Sequence, residues 1–137
     1  MEPVIQPIDR NLILGELTEE KFIGKTRRGG NLIYEISAED SPQTMREIGR
    51  LREISFRLGG GGTGKAIDID EFDTDEYYPY KQLIVWDPDE QEIIGGYRYI
   101  VCGGVDPIHF ATSELFKFSE KFCSEYLPWT IELGRSF

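Results

Sequence analysis

Residues 82–101 read QLIVWDPDEQEIIGGYRYIV, the pattern of an antiparallel hairpin. Gln82 to Trp86 is a mostly apolar run, Asp87-Pro88-Asp89-Glu90 is turn chemistry, and Glu92 to Val101 returns as the partner strand. Glycine weakens a strand interior, so the pair Gly95-Gly96 marks a bulge or a close approach of ligand to backbone. Arg98 falls in the middle of the returning arm, where a charge turned toward a core needs a partner.

The segments around the hairpin complete an alternating order. Before it, Ser41-Pro42 places a hydroxyl cap ahead of a proline at the first helical position. Met45, Ile48, Leu51, Ile54 and Leu58 then recur every three or four residues, which predicts an amphipathic helix to about Leu58. Gly59 to Gly62 end it. Leu32 to Ile36 reads as a first strand, and residues 1–31, with Pro3, Pro7 and Gly29-Gly30, as an irregular segment. After the hairpin, residues 111–126 are ambiguous, although Phe118, Phe122 and Tyr126 favour a helix in the second half. Thr130 to Phe137 reads as a last strand. The expected fold is therefore α/β of the α+β kind, a mixed and largely antiparallel sheet flanked by helices. It occupies residues 32–137 behind the irregular segment 1–31.

Composition narrows the function. The chain has 137 residues with 39% apolar and 29% charged side chains, an ordinary globular balance that suits one domain. No apolar run approaches the ~20 residues of a membrane span, and the amino terminus has no basic-then-apolar leader pattern. Cys102 and Cys123 form neither a disulfide framework nor a zinc site. The expected address is the cytoplasm, with no metal. A net charge of −10 argues against a nucleic-acid partner, since phosphate affinity needs clustered Lys and Arg. The charge is uneven. Residues 66–92 hold ten acids against the single base Lys81, while the first 65 residues carry Lys25, Arg27, Arg28, Arg46, Arg50, Arg52 and Arg57. This permits one site for an anion and another for a cation.

Three motifs fail on context. Gly59-x-x-x-x-Gly64-Lys65 imitates a phosphate-binding loop, but Ala66 stands where Ser or Thr is needed, and a helix rather than a strand precedes it. Four glycines instead predict a mobile flap. Asp68-x-Asp70-x-x-Asp73-x-Asp75 lacks the ligand and glycine positions of a calcium loop, with Phe72 and Asp73 in the decisive places. His109 has no nucleophile signature around it and reads as structural.

What remains is a set of charges on otherwise apolar elements: Arg52 with Phe56 one turn on, Asp70 or Asp73, Arg98, Glu132 and Arg135. One reading is an ion-pair network that orders the fold. The other is that the same network orients a polar substrate. The two are compatible.

In this order, Arg52-x-x-x-Phe56, the glycine loop, Asp68 to Asp73, Gln82 to Asp87, Ile94-Gly95-Gly96-Tyr97-Arg98, Ser113-Glu114 and Glu132-Leu133-Gly134-Arg135-Ser136 resemble the hemolysin-like acyltransferases. That group includes ornithine-lipid and glycine-lipid synthases. More distantly, the chain is similar to the acyl-homoserine-lactone synthases, and both groups lie in the GNAT superfamily of N-acetyltransferases. Arg57-Leu58-Gly59 stands where the lactone synthases carry a tryptophan, which favours the lipid-synthase branch.

The resemblance implies transfer of a fatty acyl group from a thioester, on acyl carrier protein or coenzyme A, to the α-amine of a small amino acid. No tightly bound cofactor is implied, and the lipid product would bring a peripheral membrane contact. Carried over by position, Glu132, Arg98 and Arg135 are the catalytic candidates, with Glu132 as base. Arg52, Phe56, Asp70, Asp73, Gly95 and Gly96 are the substrate-binding candidates. An acidic carrier protein would dock on Lys25, Arg27, Arg28, Arg46 and Arg50. In the superfamily a pyrophosphate-binding loop follows the last strand, so the expectation is an amino-terminal part of a longer enzyme or a short homologue. The competing class is a non-catalytic acyl-binding or protein-interaction module that keeps a partial acyltransferase fold.

Overall fold

The computed structural model describes residues 1–137. Its strands are β1 (Phe22–Lys25), β2 (Leu32–Ile36), β3 (Lys81–Asp87), β4 (Glu92–Val101) and β5 (Ile131–Gly134). Its helices are α1 (Arg10–Glu16), α2 (Pro42–Leu58) and the single turn α3 (Glu71–Thr74). The five strands form one sheet in the order β1-β2-β3-β4-β5, every pair antiparallel. The central hairpin is the one read from residues 82–101. Gln82 faces Arg98 and Ile84 faces Gly96, and the register shifts between Val85 and Trp86 to leave an extra residue on β4. Gly96 is required by contact: a Cβ there would lie 2.5 Å from the Leu83 carbonyl oxygen.

Strand alternation decides which face is buried. Ile84 and Trp86 of β3 and Ile93 of β4 join Ile36, Met45, Ile48 and Ile13 in one core beneath α1 and α2. Each fully buried aliphatic side chain in that set contributes about 1.5–3 kcal/mol of transfer free energy. A second core, of Tyr80, Ile100, Cys102, Phe110 and Leu127, lies under the turns between β4 and β5. The opposite face carries Ile33, Leu83, Val85 and Tyr97, which with Gly95, Gly96, Ser136 and Phe137 line an apolar groove of about 430 Å³.

Residues 1–31, read as irregular, carry α1, a 3-10 turn at Glu19–Lys21 and β1. The reason is tertiary. Glu16, at the end of α1, accepts hydrogen bonds from Gln43 N (3.0 Å), Thr44 N (2.6 Å) and the Thr44 hydroxyl (2.7 Å). It thereby caps α2, a negative group at the positive end of a helix. Ser41 holds the N-cap position but makes no side-chain cap bond; its hydroxyl donates to Asp40 and accepts from Lys21.

The glycine loop also differs from its expectation. Instead of a loose flap, residues 62–65 are wrapped around the carboxylate of Glu53. That carboxylate takes the amides of Thr63 (3.0 Å) and Gly64 (2.8 Å), the Thr63 hydroxyl (2.6 Å) and Arg57 Nε (2.6 Å). Burial opposes the charge, but these four donors outweigh it and hold the carboxyl at about 2. Amides that would cradle a phosphate are thus occupied by an anion of the chain itself.

Between β4 and β5 the chain runs through 3-10 turns at Pro107–His109 and Ala111–Glu114 and a wide helical turn at Phe122–Tyr126. The rings of Phe118, Phe122 and Tyr126 stack in series there, at 5.2 and 6.1 Å.

Candidate active site at the β4–β5 edge

Three arginines and three aspartates from four parts of the chain meet above the second core. Arg52 projects from α2, Asp68, Asp70 and Asp73 come from the segment leading into and through α3, Arg98 comes from β4, and Arg135 follows β5. Asp70 caps α3, accepting from the amides of Phe72 and Asp73, and Asp73 returns the bond to the Asp70 amide. This reciprocal cap fixes both carboxylates relative to the backbone.

The innermost layer is dry. Arg52 Nη1 donates to Asp73 Oδ2 at 3.0 Å, and Arg52 Nη2 to Gln82 Oε1 at 2.5 Å. Gln82 Nε2 closes the ring on Asp73 Oδ1 at 2.8 Å. Both charged side chains are 0% exposed. Arg98 forms the next layer, 2.6 Å from Asp70 Oδ1 and 3.2 Å from Asp73 Oδ1, its guanidinium over the rings of Tyr80 (4.9 Å) and Phe72 (5.7 Å). Arg135 closes the outside, 3.3 Å from Asp68 and 3.4 Å from Asp70, and a third of its side chain remains in solvent.

Burial disfavours charge at Arg52, Asp68, Asp70 and Arg98, and pairing outweighs it at only two of them. Burial lowers the Arg52 pKa. At Arg98 burial is outweighed by Asp70 and Asp73, so its pKa rises. At Asp70 burial is likewise outweighed, chiefly by Arg98, and the pKa falls. Asp68 goes the other way, raised by burial despite Arg135 and Arg52.

Glu132 stands apart from the arginines. It is half-buried on β5 opposite Ile100, and accepts a 2.6 Å bond from the Tyr80 hydroxyl, whose ring lies against Arg98. Past Gly134, two residues beyond Glu132, the strand pair opens. Arg98 faces Gly134, but the next pairing joins Gly96 to Phe137, whose amides and carbonyls exchange bonds of 3.1 and 3.3 Å. Arg135 therefore bulges, in the left-handed region at φ 52°. The amides of Arg135 and Ser136 make none of the backbone hydrogen bonds of the sheet. The buried Nε of Arg98 is also without a partner, and lies 3.8 Å from where a Cβ on Gly134 would be. Unclaimed backbone N–H donors at the bulge, with a carboxylate on the same strand and a partly exposed arginine, suit an anionic or carbonyl oxygen.

Of the residues singled out by sequence, Arg52, Asp70, Asp73, Arg98 and Arg135 form this one cluster, and Glu132 joins it through Tyr80. Gly95 and Gly96 lie on the groove of the opposite face, which reaches the bulge at Ser136. Phe56 is half-buried near the end of α2, and its carbonyl accepts from Gly61 (2.7 Å). No polar contact of the cluster involves it. Asp68, Tyr80 and Gln82 also belong to the network, beyond the expected Arg52, Asp70 or Asp73, Arg98, Glu132 and Arg135. For Tyr80 and Gln82 the one sequence signal is that polar or hydroxylated side chains occupy inward positions at the start of β3, whereas Asp68 reads only as part of an acidic run. His109 rests against Tyr78 and lies 3.7 Å from Asp75.

The chain matches the acetyltransferase (GNAT) domain family over residues 51–137. It is 53% identical to the glycine N(alpha)-acyltransferase of Phocaeicola vulgatus and 54% identical to the glycine N(alpha)-acyltransferase of Bacteroides thetaiotaomicron. Both alignments cover 100% of this chain and 43% and 42% of the relatives. The chain thus spans less than half the length of these curated relatives. No solved structure matches it.

Proposed function

The chain belongs to the acetyltransferase (GNAT) domain family, and from that premise we propose that it transfers an acyl group from a thioester to the α-amine of glycine or another small amino acid. The observation that carries this reading is its identity at more than half of the aligned positions, across the whole of this chain, to two proteins bearing the glycine N(alpha)-acyltransferase name. The geometry fits the chemistry. Aminolysis of a thioester needs a neutral amine, and Glu132, at the open edge of the sheet, is the carboxylate proposed to take its proton. The amine nitrogen forms the new bond to the carbonyl carbon. The free amides of Arg135 and Ser136 are the proposed donors to the oxygen that becomes negative, and the C–S bond breaks with the thiolate taking up a proton. Arg135, partly in solvent, is the proposed holder of the acceptor's carboxylate by paired hydrogen bonds.

Arg52 and Asp73 are fully enclosed, so in this reading they fix the cluster from within and do not touch substrate. Arg98 is nearly so, with its Nε buried and without a partner. The apolar groove past Gly95 and Gly96 is the proposed bed of the acyl chain, since it meets the bulge at Ser136 and offers mainly hydrocarbon walls.

The donor is coenzyme A or acyl carrier protein. For the carrier protein, Lys25, Arg27, Arg28 and Arg46 are exposed bases, whereas Arg50 is held by Glu47 through two bonds of 2.9 and 2.6 Å. A cytoplasmic enzyme whose lipid product meets the membrane surface completes the reading. No helix is long and apolar enough to cross a membrane. The test is mass spectrometry after incubation with long-chain acyl-coenzyme A or acyl-carrier protein and glycine. N-acylglycine supports the enzyme, and donor binding without product supports an acyl-binding module.

A further inference from the structure

Tyr80 is the largest buried group that the proposed chemistry leaves without a task. It sits at the entry to β3, is 0% exposed, and has one polar atom with two bonds. Its oxygen accepts the amide of Ala111 at 2.8 Å, and its hydroxyl donates to Glu132 Oε1 at 2.6 Å. The amide can only donate, so the phenol proton has a single direction open to it, toward Glu132. The ring is fixed on both sides, edge-on to Phe72 at 5.8 Å and under the Arg98 guanidinium at 4.9 Å.

We propose that Tyr80 is the positioning residue for Glu132: it ties one carboxylate oxygen down, leaves the other for the acceptor amine, and couples the arginine–aspartate cluster to the base. This rests on the reading of Glu132 as the base of an acyl transfer. Two features fit the role. Burial, then the bond to Glu132, pushes the Tyr80 phenol well above its ordinary range, so it stays a proton donor at any working pH. The Ala111 amide belongs to the turn Ala111–Glu114, so the same hydroxyl also anchors the covering segment over the second core.

The experiment compares Tyr80→Phe, Glu132→Gln and the double variant in the full chain, by steady-state transfer of a long-chain acyl group from acyl-coenzyme A to glycine. Tyr80→Phe keeps the ring and loses only the oxygen. The expected result is a fall in kcat of about 10- to 100-fold, with KM for glycine and donor within two-fold of the parent, because a misplaced base slows the proton transfer and leaves binding alone. In the Glu132→Gln background the same change is expected to cost less than two-fold. Equal losses in both backgrounds, or a Tyr80→Phe enzyme as fast as the parent, overturn the proposal. A Glu132→Gln enzyme as fast as the parent instead removes the reading on which it rests. Should Tyr80→Phe fail to fold, 3-fluorotyrosine at position 80 keeps both bonds while strengthening the donor. A two- to five-fold lower kcat at unchanged KM is then expected, and an unchanged kcat overturns the proposal.

Discussion

Replacing Asp73 by alanine removes the acid on which the inner layer closes. Its carboxylate accepts from Arg52 Nη1, Gln82 Nε2 and the Asp70 amide, and lies 3.2 Å from Arg98. Neither Arg52 nor Gln82 has an exposed alternative, since they are 0% and 1% exposed. Breaking a buried pair from one side leaves an uncompensated charge and costs about 3–5 kcal/mol, more than the pair itself contributes. At about 3–4 °C per kcal/mol, between the slopes for smaller and larger domains, Tm is expected to fall by about 10–20 °C. Thermal unfolding followed by the fluorescence of buried Trp86 measures the fall in Tm, and urea unfolding the loss of free energy. Glu71→Ala, two residues away but exposed, is the control and is expected to stay within about 0.5 kcal/mol. Arg52→Met with Asp73→Leu, which removes both charges, is expected to recover part of the loss. An Asp73→Ala protein within about 1 kcal/mol of the parent refutes the argument, because Arg52 would then have to be hydrated in the folded state.

Two further outcomes follow from particular contacts. Glu53 has a folded-state value of about 2 against an ordinary 4.5, so its contribution to stability is fully present above about 4.5 and is lost as pH falls from there toward 2. Unfolding free energy in that window is expected to drop more steeply for the parent than for Glu53→Gln, and parallel slopes would contradict the role given to the glycine loop. Gly96→Ala drives a Cβ against the Leu83 carbonyl and is expected to cost about 1–3 kcal/mol. Gly24→Ala on β1, where nothing lies within 4 Å, is expected to cost far less, and equal losses in denaturation would place the strain elsewhere.

The parts of the fold legible in the sequence are those written locally. The period-two pattern and turn of residues 82–101, and the three-to-four spacing from Met45 to Leu58, each lie within one element, and the structure follows them. The charges on Arg52, Arg98, Glu132 and Arg135 were legible as a group because each breaks an apolar pattern and so demands a partner, which the acidic run offered in Asp70 or Asp73. What stayed hidden depends on contacts between distant residues. Glu16 caps a helix that begins 26 positions later, so neither α1 nor the true cap of α2 has a local signal. Glu53 reads as one more acid on a solvated helix face, yet it anchors the loop that four glycines would otherwise leave free. The bulge at Arg135 arises because Phe137, rather than Ser136, pairs with Gly96, and no residue preference announces a left-handed arginine. Tyr80 reads as one tyrosine among several before a strand, and its partner is 52 positions away.

We propose acyl transfer to an amino acid's amine at the β4–β5 edge, with Glu132 as the base. It is tested most directly by mass-spectrometric detection of N-acylglycine from long-chain acyl thioester and glycine, for the parent and Glu132→Gln side by side. The expected result is product from the parent and a rate about 10²- to 10⁴-fold lower from the variant at comparable donor binding. Bound donor with no product from the parent, or equal rates from the two proteins, would contradict it.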